Sequence, residues 1–208
     1  MYLTKRDIAY HKIKEMILQG VLSTDSMLSE KNLASELGMS RTPVREALQR
    51  LVHEGFMKEY SRKGAVVNDV TMAEAMEIID FRMAVEEFMV LNLQNRWDDE
   101  KSAQLEQMLQ EQEKLVDAGN SMGFLESDVK FHDLIAQFYG NQLIRDTLKS
   151  VRERFLVAGG VILRDQPSVR RAYEGHVQIV KALRQKNFAA AQEEMHAHLV
   201  FAKKNFLN

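Results

Sequence analysis

Apolar positions recur at helical spacing along most of the chain, with one short exception. Ile8, Ile13 and the pair Met16/Ile17 share a face of a helix predicted over 5–19. A turn-rich connector, 20–27, leads to a short capped helix over 29–37 that Gly38 closes. The stretch from Ser40 to Gly55 reads as the next helix, with Thr42 as N-cap, Pro43 at the first helical position and Gly55 as the stop. Turning about 100° per residue, it gathers Val44, Ala47, Leu48 and Leu51 on one side, with Val52 slightly out of place. Arg41, Thr42, Arg45 and Gln49 gather on the other. The exception follows: Phe56–Tyr60 and Ala65–Val67 read as two short strands flanking a basic tip, Ser61-Arg62-Lys63-Gly64.

Near 68–71 the pattern changes. Thr71, with Glu74 three residues on, has capping-box spacing and opens a helix predicted to run to about Arg96, with Ile78, Phe81, Val85, Phe88 and Met89 as its apolar stripe. Helices are then expected over 98–118, 121–138, 141–160, 168–186 and 188–206. Trp97-Asp-Asp, Gly119-Asn, Gly140-Asn, Asp165-Gln-Pro and Lys186-Asn separate them. Short connections make antiparallel neighbours. The expected fold is mainly α: a winged helix-turn-helix over 1–69 and a six-helix antiparallel bundle over 70–208, closely coupled by a short link.

Composition sharpens this division. The chain has 208 residues, no cysteine and a formal charge of −2. The sign looks wrong for a nucleic-acid binder until the halves are separated: residues 1–68 carry +3 and the remainder −5. Absence of cysteine excludes disulfides, thiolate metal ligands and a cysteine nucleophile. With no apolar run of membrane length and no signal-like N-terminus, a cytoplasmic protein is expected.

The polar face of the helix over 40–55 has the chemistry to enter a major groove: guanidinium groups can fork onto guanine and a Gln amide onto adenine. With the preceding helix and the wing, this makes a helix-turn-helix rather than a surface helix with a solvated face. The sequence from Leu28 through Ser40-Arg-Thr-Pro-Val-Arg45 to Leu51 resembles the DNA-binding signature of the GntR family of bacterial transcription regulators. The resemblance implies base or phosphate contacts from Lys31, Arg41, Thr42 and Arg45, and a minor-groove contact from Lys63 and Gly64 at the wing tip. Ser40 and Gln49 complete the expected face.

In the second half, Asp128 and His132 stand at i and i+4, side by side on one helix. His176 and His198 lie on consecutive helices whose hairpin brings them to similar heights. Each alone reads equally as a packed core residue. Together, three imidazoles and a carboxylate suit Zn²⁺, Ni²⁺ or Mn²⁺. Residues 125–136, Gly140-Asn-Gln-Leu-Ile, His176-Val-Gln-Ile-Val-Lys-Ala-Leu and Met195-His-Ala-His198-Leu resemble the FCD effector domain of the FadR subfamily. That resemblance implies a metal held by Asp128, His132, His176 and His198, and six helices resemble its VanR-like branch. It also implies a small carboxylate effector clamped by Arg82, and by Arg152 as a second candidate. The expected function is a homodimeric repressor whose operator affinity the effector controls. The competing reading is a metal-dependent phosphohydrolase built on the His132-Asp133 doublet, although Asp133 points about 100° around its helix from His132.

Overall fold

The computed structural model of the chain describes residues 4–18, 21–22, 28–59, 64–68, 71–162 and 165–207. The chain divides into two compact units, Met1–Val70 and Thr71–Asn208.

In the first unit α1 (Lys5–Leu18) packs on α3 (Arg41–His53). Its buried face is Ala9, Tyr10, Ile13 and Ile17, while the expected stripe members Ile8 and Met16 are only half-buried. Tyr10 rotates the helix inward. Its hydroxyl donates to Glu54 Oε2 at 2.5 Å, and the Arg50 guanidinium lies 3.8 Å from its ring centroid. A short α2 (Glu30–Glu36) is capped by Ser29, whose side chain accepts from the Asn32 amide. Gly38, at φ 63°, turns the chain into α3. That helix starts earlier than expected. Extended Ser40, not Thr42, holds the N-cap position, and its side chain makes no capping bond. Pro43 is therefore the third helical residue, still among the four amides that have no acceptor within the helix. Val44, Ala47, Leu48 and Leu51 are all buried, as their spacing required. Strands β1 (Met57–Glu59) and β2 (Ala65–Val67) pair antiparallel with Met57 opposite Val67, and Leu28 bridges to Ala65 beside them.

The second unit holds α4 (Met72–Leu91), a 3₁₀ turn (Gln94–Arg96), α5 (Asp99–Asp117), α6 (Ser121–Tyr139), α7 (Gln142–Ile162), α8 (Gln166–Arg184) and α9 (Phe188–Leu207). Each of the six α-helices starts on a side chain that satisfies an orphan amide. Thr71 and Glu74 form the capping box of α4. Asp98, Asn120, Asn141, Asp165 and Asn187 accept from the amides of Lys101, Gly123, Ile144, Ser168 and Ala190. Helices α5/α6, α6/α7 and α8/α9 pack as sequence neighbours, but α4 packs chiefly on α9, α6 and α7 rather than on α5. The core holds Val90, Leu93, Leu105, Phe131, Ile135, Ile179, Leu183, Met195 and Leu199. Each such side chain contributes about 1.5–3 kcal/mol by leaving water.

Helix α4 is rotated from its expected register. Its buried positions are Ala75, Ile78, Ile79, Arg82, Glu86, Met89 and Val90, whereas Phe81 and Val85 are half-buried and Phe88 is 49% exposed. Two charged residues occupy the centre of the inward face, and the aromatic stripe is displaced toward solvent. The reason lies in what Arg82 and Glu86 meet inside the bundle.

Candidate DNA-reading face and candidate metal centre

Arg41, Thr42, Arg45 and Gln49 are all exposed on one arc of α3, with exposed Ser40 at its head. Lys31 is exposed on α2. Gly64 sits just before β2 at φ 146°, a conformation that favours glycine. Lys63 lies outside the described residues. Arg45 is not a free cation: its Nε and Nη2 donate to Glu30 Oε1 and Oε2 at 2.8 and 2.9 Å. Glu30 went unnoticed in the sequence. It sits 15 positions from Arg45, and nothing in helical periodicity links positions on different helices.

In the bundle, α6 supplies Asp128 and His132, α8 supplies His176 and α9 supplies His198. All four are buried, and one donor atom from each lies within 4.8 Å of the others. Four tetrahedral donors at about 2.1 Å from one ion stand about 3.4 Å apart, so a contraction of roughly 1–1.5 Å would close them on a metal. His176 Nε2 is 3.2 Å and His132 Nε2 3.9 Å from Asp128 Oδ1.

Neighbouring groups aim these rings. The amide oxygen of fully buried Gln112, on α5, lies 2.9 Å from His176 Nδ1, so that nitrogen carries the proton and Nε2 keeps its lone pair for the cluster. Glu86 Oε2 lies 2.6 Å from His132 Nδ1 and sets a carboxylate against that ring nitrogen. Among the described residues, nothing hydrogen-bonds the buried His132 Nε2, His176 Nε2 and His198 Nδ1, which is costly unless something else binds them. His198 is seated against Gly175, where an added Cβ would stand 2.7 Å from its Nδ1. A cleft of about 420 Å³ between α8 and α9 reaches this point, lined by Arg171, Glu174, Gly175, Glu194, His198 and Phe201 among others.

Beside the cluster lie both arginines expected to hold an effector. Arg82 Nε donates to Glu86 Oε1 at 2.8 Å, and Arg152 Nη2 approaches the same oxygen at 3.4 Å. Arg152 is 1% exposed, and among the described residues none of its Nε, Nη1 and Nη2 has a hydrogen-bond acceptor. Burial pushes the Glu86 carboxyl up, but Arg82, His132 and Arg152 outweigh it and hold it well below the usual carboxylate range. Asp128 is pushed up by burial, but the neighbouring histidines outweigh it and hold it below the usual carboxylate range. Burial lowers His132 to about 4 and His198 well below its ordinary value. Near neutrality these two rings are therefore uncharged donors, while the two carboxylates balance the two guanidinium groups.

His132 and Asp133 do not act together. Asp133 turns out of the cluster toward Arg145, at 3.2 Å, and Arg152, at 3.9 Å, so the doublet of a helical phosphohydrolase is absent as a geometry. Glu86, Gln112 and Gly175 are the additions the sequence did not yield. Only Glu86 left a signal, as an acidic residue four positions after Arg82 on a buried stripe.

A winged helix-turn-helix joined to a helical unit with a buried Asp/His₃ cluster is the organisation of a DNA-binding transcription regulator, and the comparisons agree. Residues 5–67 match the family model "Bacterial regulatory proteins, gntR family" and residues 77–201 match "FCD domain". The chain belongs to the GntR family, with an FCD domain. It is 27% identical over 190 residues to the HTH-type transcriptional regulator YdhC of Bacillus subtilis, covering 91% of this chain and 85% of that one. It is 29% identical over 194 residues to the gluconate operon transcriptional repressor of the same organism, covering 91% and 79%. A solved GntR transcriptional regulator from Rhodococcus sp. RHA1 shares the fold at a TM-score of 0.82 and 21% identity, covering 99% of this chain and 98% of that one. Relatives and families alike are regulators rather than enzymes. Among the described residues, no helix is long and apolar enough to cross a membrane.

Proposed function

We propose that the chain is a metal-loaded repressor that reads operator DNA as a homodimer and releases it when a small organic acid enters the bundle. Six helices, α4 to α9, support the VanR-like branch of the FCD domain. Arg41, Thr42, Arg45 and Gln49, with Ser40 and Lys31, would meet the major groove, and Lys63 and Gly64 of the wing the minor groove.

The observation that carries the effector reading is the pairing of unpartnered nitrogens with an unsatisfied buried guanidinium. His132, His176, His198 and Asp128 would hold Zn²⁺, Ni²⁺ or Mn²⁺, a Lewis acid with coordination positions left for a carboxylate oxygen. The buried charges already balance, so a divalent ion adds net positive charge that an anion would offset. Arg152 has N–H groups to donate to that anion, and Arg82, fixed by Glu86, stands beside it. Anion binding would favour one arrangement of the dimer over another, and operator affinity follows that population.

For the dimer, the support is an apolar stripe on α4 that is half-buried at Phe81 and Val85 and opens to solvent at Phe88. Phe81, Val85 and Phe88 recur at i, i+4 and i+7 along α4, with Phe88 against Tyr139, and Leu91 and Leu143 are 40% and 77% exposed. One module offers little DNA contact, and two read a pseudo-palindrome.

Elemental analysis of protein purified without chelator, followed by a thermal-shift screen of small carboxylates, tests the reading. About one equivalent of a transition metal and a carboxylate-dependent rise in melting temperature are expected. Less than about a tenth of an equivalent, before and after adding each metal, would reduce the cluster to a polar core and leave any effector to the two arginines.

A further inference from the structure

The Glu30–Arg45 pair lies on the face assigned to DNA, and a carboxylate there is unfavourable near phosphates. Its geometry offers a reason for its presence. A guanidinium has five N–H groups in three edges. Glu30 occupies the side edge, taking one N–H from Nε and one from Nη2 at 2.8 and 2.9 Å. The end edge, formed by the remaining Nη2 N–H and one from Nη1, stays open. That edge is the one that can fork onto O6 and N7 of a guanine. Glu30 itself is well anchored, as the first residue of α2 behind the Ser29 cap, with its side chain one-third exposed. Arg45, on the second turn of α3, is 56% exposed at its side chain.

We infer that Glu30 is a specificity-determining positioning residue, which holds the Arg45 guanidinium by its side edge so that its end edge is presented to a guanine in the major groove. The inference rests on the reading of α3 as the groove-entering helix. Without Glu30, the long Arg45 side chain would sample many rotamers, and its charge would settle on the nearest phosphate instead of on one base. A pair that merely stapled α2 to α3 would be worth little at this exposure and would carry no sequence information. Glu30 lowers the chain's non-specific attraction to DNA while raising its discrimination. The two effects have opposite signs and can be measured separately.

The test is selection of binding sites from a randomised duplex library by the full-length protein, followed by titration of the selected duplex and of a random duplex. Wild type, Arg45→Ala, Glu30→Ala and Glu30→Gln are compared. In the wild-type site, one guanine per half-site should lose its preference in Arg45→Ala. Glu30→Ala should weaken preference at that same position by about five- to tenfold, part of what a bidentate base contact carries, and leave other positions unchanged. Its affinity for random duplex should stay equal or rise, which also shows that the module is folded. Glu30→Gln, whose amide oxygen can still accept one bond from Arg45, should recover part of the preference. An unchanged preference in Glu30→Ala, while Arg45→Ala abolishes it, would overturn the positioning role alone. If Arg45→Ala leaves every position unchanged, the groove reading of α3 falls and the inference with it.

Discussion

The ring of His198 stands where a side chain on residue 175 would have to be: a Cβ at Gly175 would approach His198 Nδ1 to 2.7 Å and its Cβ to 3.3 Å. Gly175 lies within α8, where glycine costs about 1 kcal/mol relative to alanine. The position is thus conformationally unfavourable but gives α9 room to bring its histidine to the cluster. Gly175→Ala should reinforce the helix yet displace His198, weakening metal affinity by about tenfold or more. Competition with a chromogenic chelator measures this. Unchanged affinity would mean that His198 is not a ligand or that α9 yields freely.

Glu86 is the shared counter-charge of Arg82, Arg152 and His132. Glu86→Gln removes the negative charge that Arg82 and Arg152 share inside the bundle. A loss of about 3–5 kcal/mol is expected from breaking a buried pair. Urea unfolding, followed by a probe in the second unit, would show it as a lower midpoint. A loss below about 1 kcal/mol would indicate that water reaches these arginines.

Metal-free protein should lose stability as the pH falls. His132 accepts a proton near 6.5 when unfolded but only at about 4 when folded, because burial and the nearby Arg82 outweigh Glu86 and Asp128. Between these values the unfolded chain binds more protons, so unfolding becomes easier as pH drops through the window. The depressed His198 acts in the same direction. Melting temperature with chelator present should be level above about pH 7 and decline from 6.5 toward 4, with a shallower slope in His132→Gln. A flat profile over that range would show that water hydrates the cluster.

Phe88→Glu places a charge on the apolar stripe of α4 at the residue that is 49% exposed in the isolated chain. If the stripe joins two copies, this variant should sediment near the chain mass of 24.0 kDa where wild type sediments at twice that. Its melting temperature at low concentration should change little, because an exposed site away from the core has little to lose. Wild-type protein sedimenting as a monomer while saturating DNA would remove the dimer.

Local chemistry made much of this protein legible from its sequence. Caps at Asp98, Asn120, Asn141, Asp165 and Asn187 delimit the helices because an orphan amide needs a nearby oxygen, and that need is met within three residues. The buried stripe of α3 follows from a 3.6-residue period. Asp128 and His132 were visible as an i, i+4 pair for the same reason. What the tertiary structure decided lies between helices. The rotation of α4 could not be read from its apolar residues, because burying Arg82 and Glu86 is favourable only once Arg152 on α7 and His132 on α6 are there to meet them. The same holds for Gln112 on His176, Gly175 beneath His198 and Glu30 on Arg45. Each is a contact of a few ångströms across a distance in sequence that carries no period, so packing alone set it.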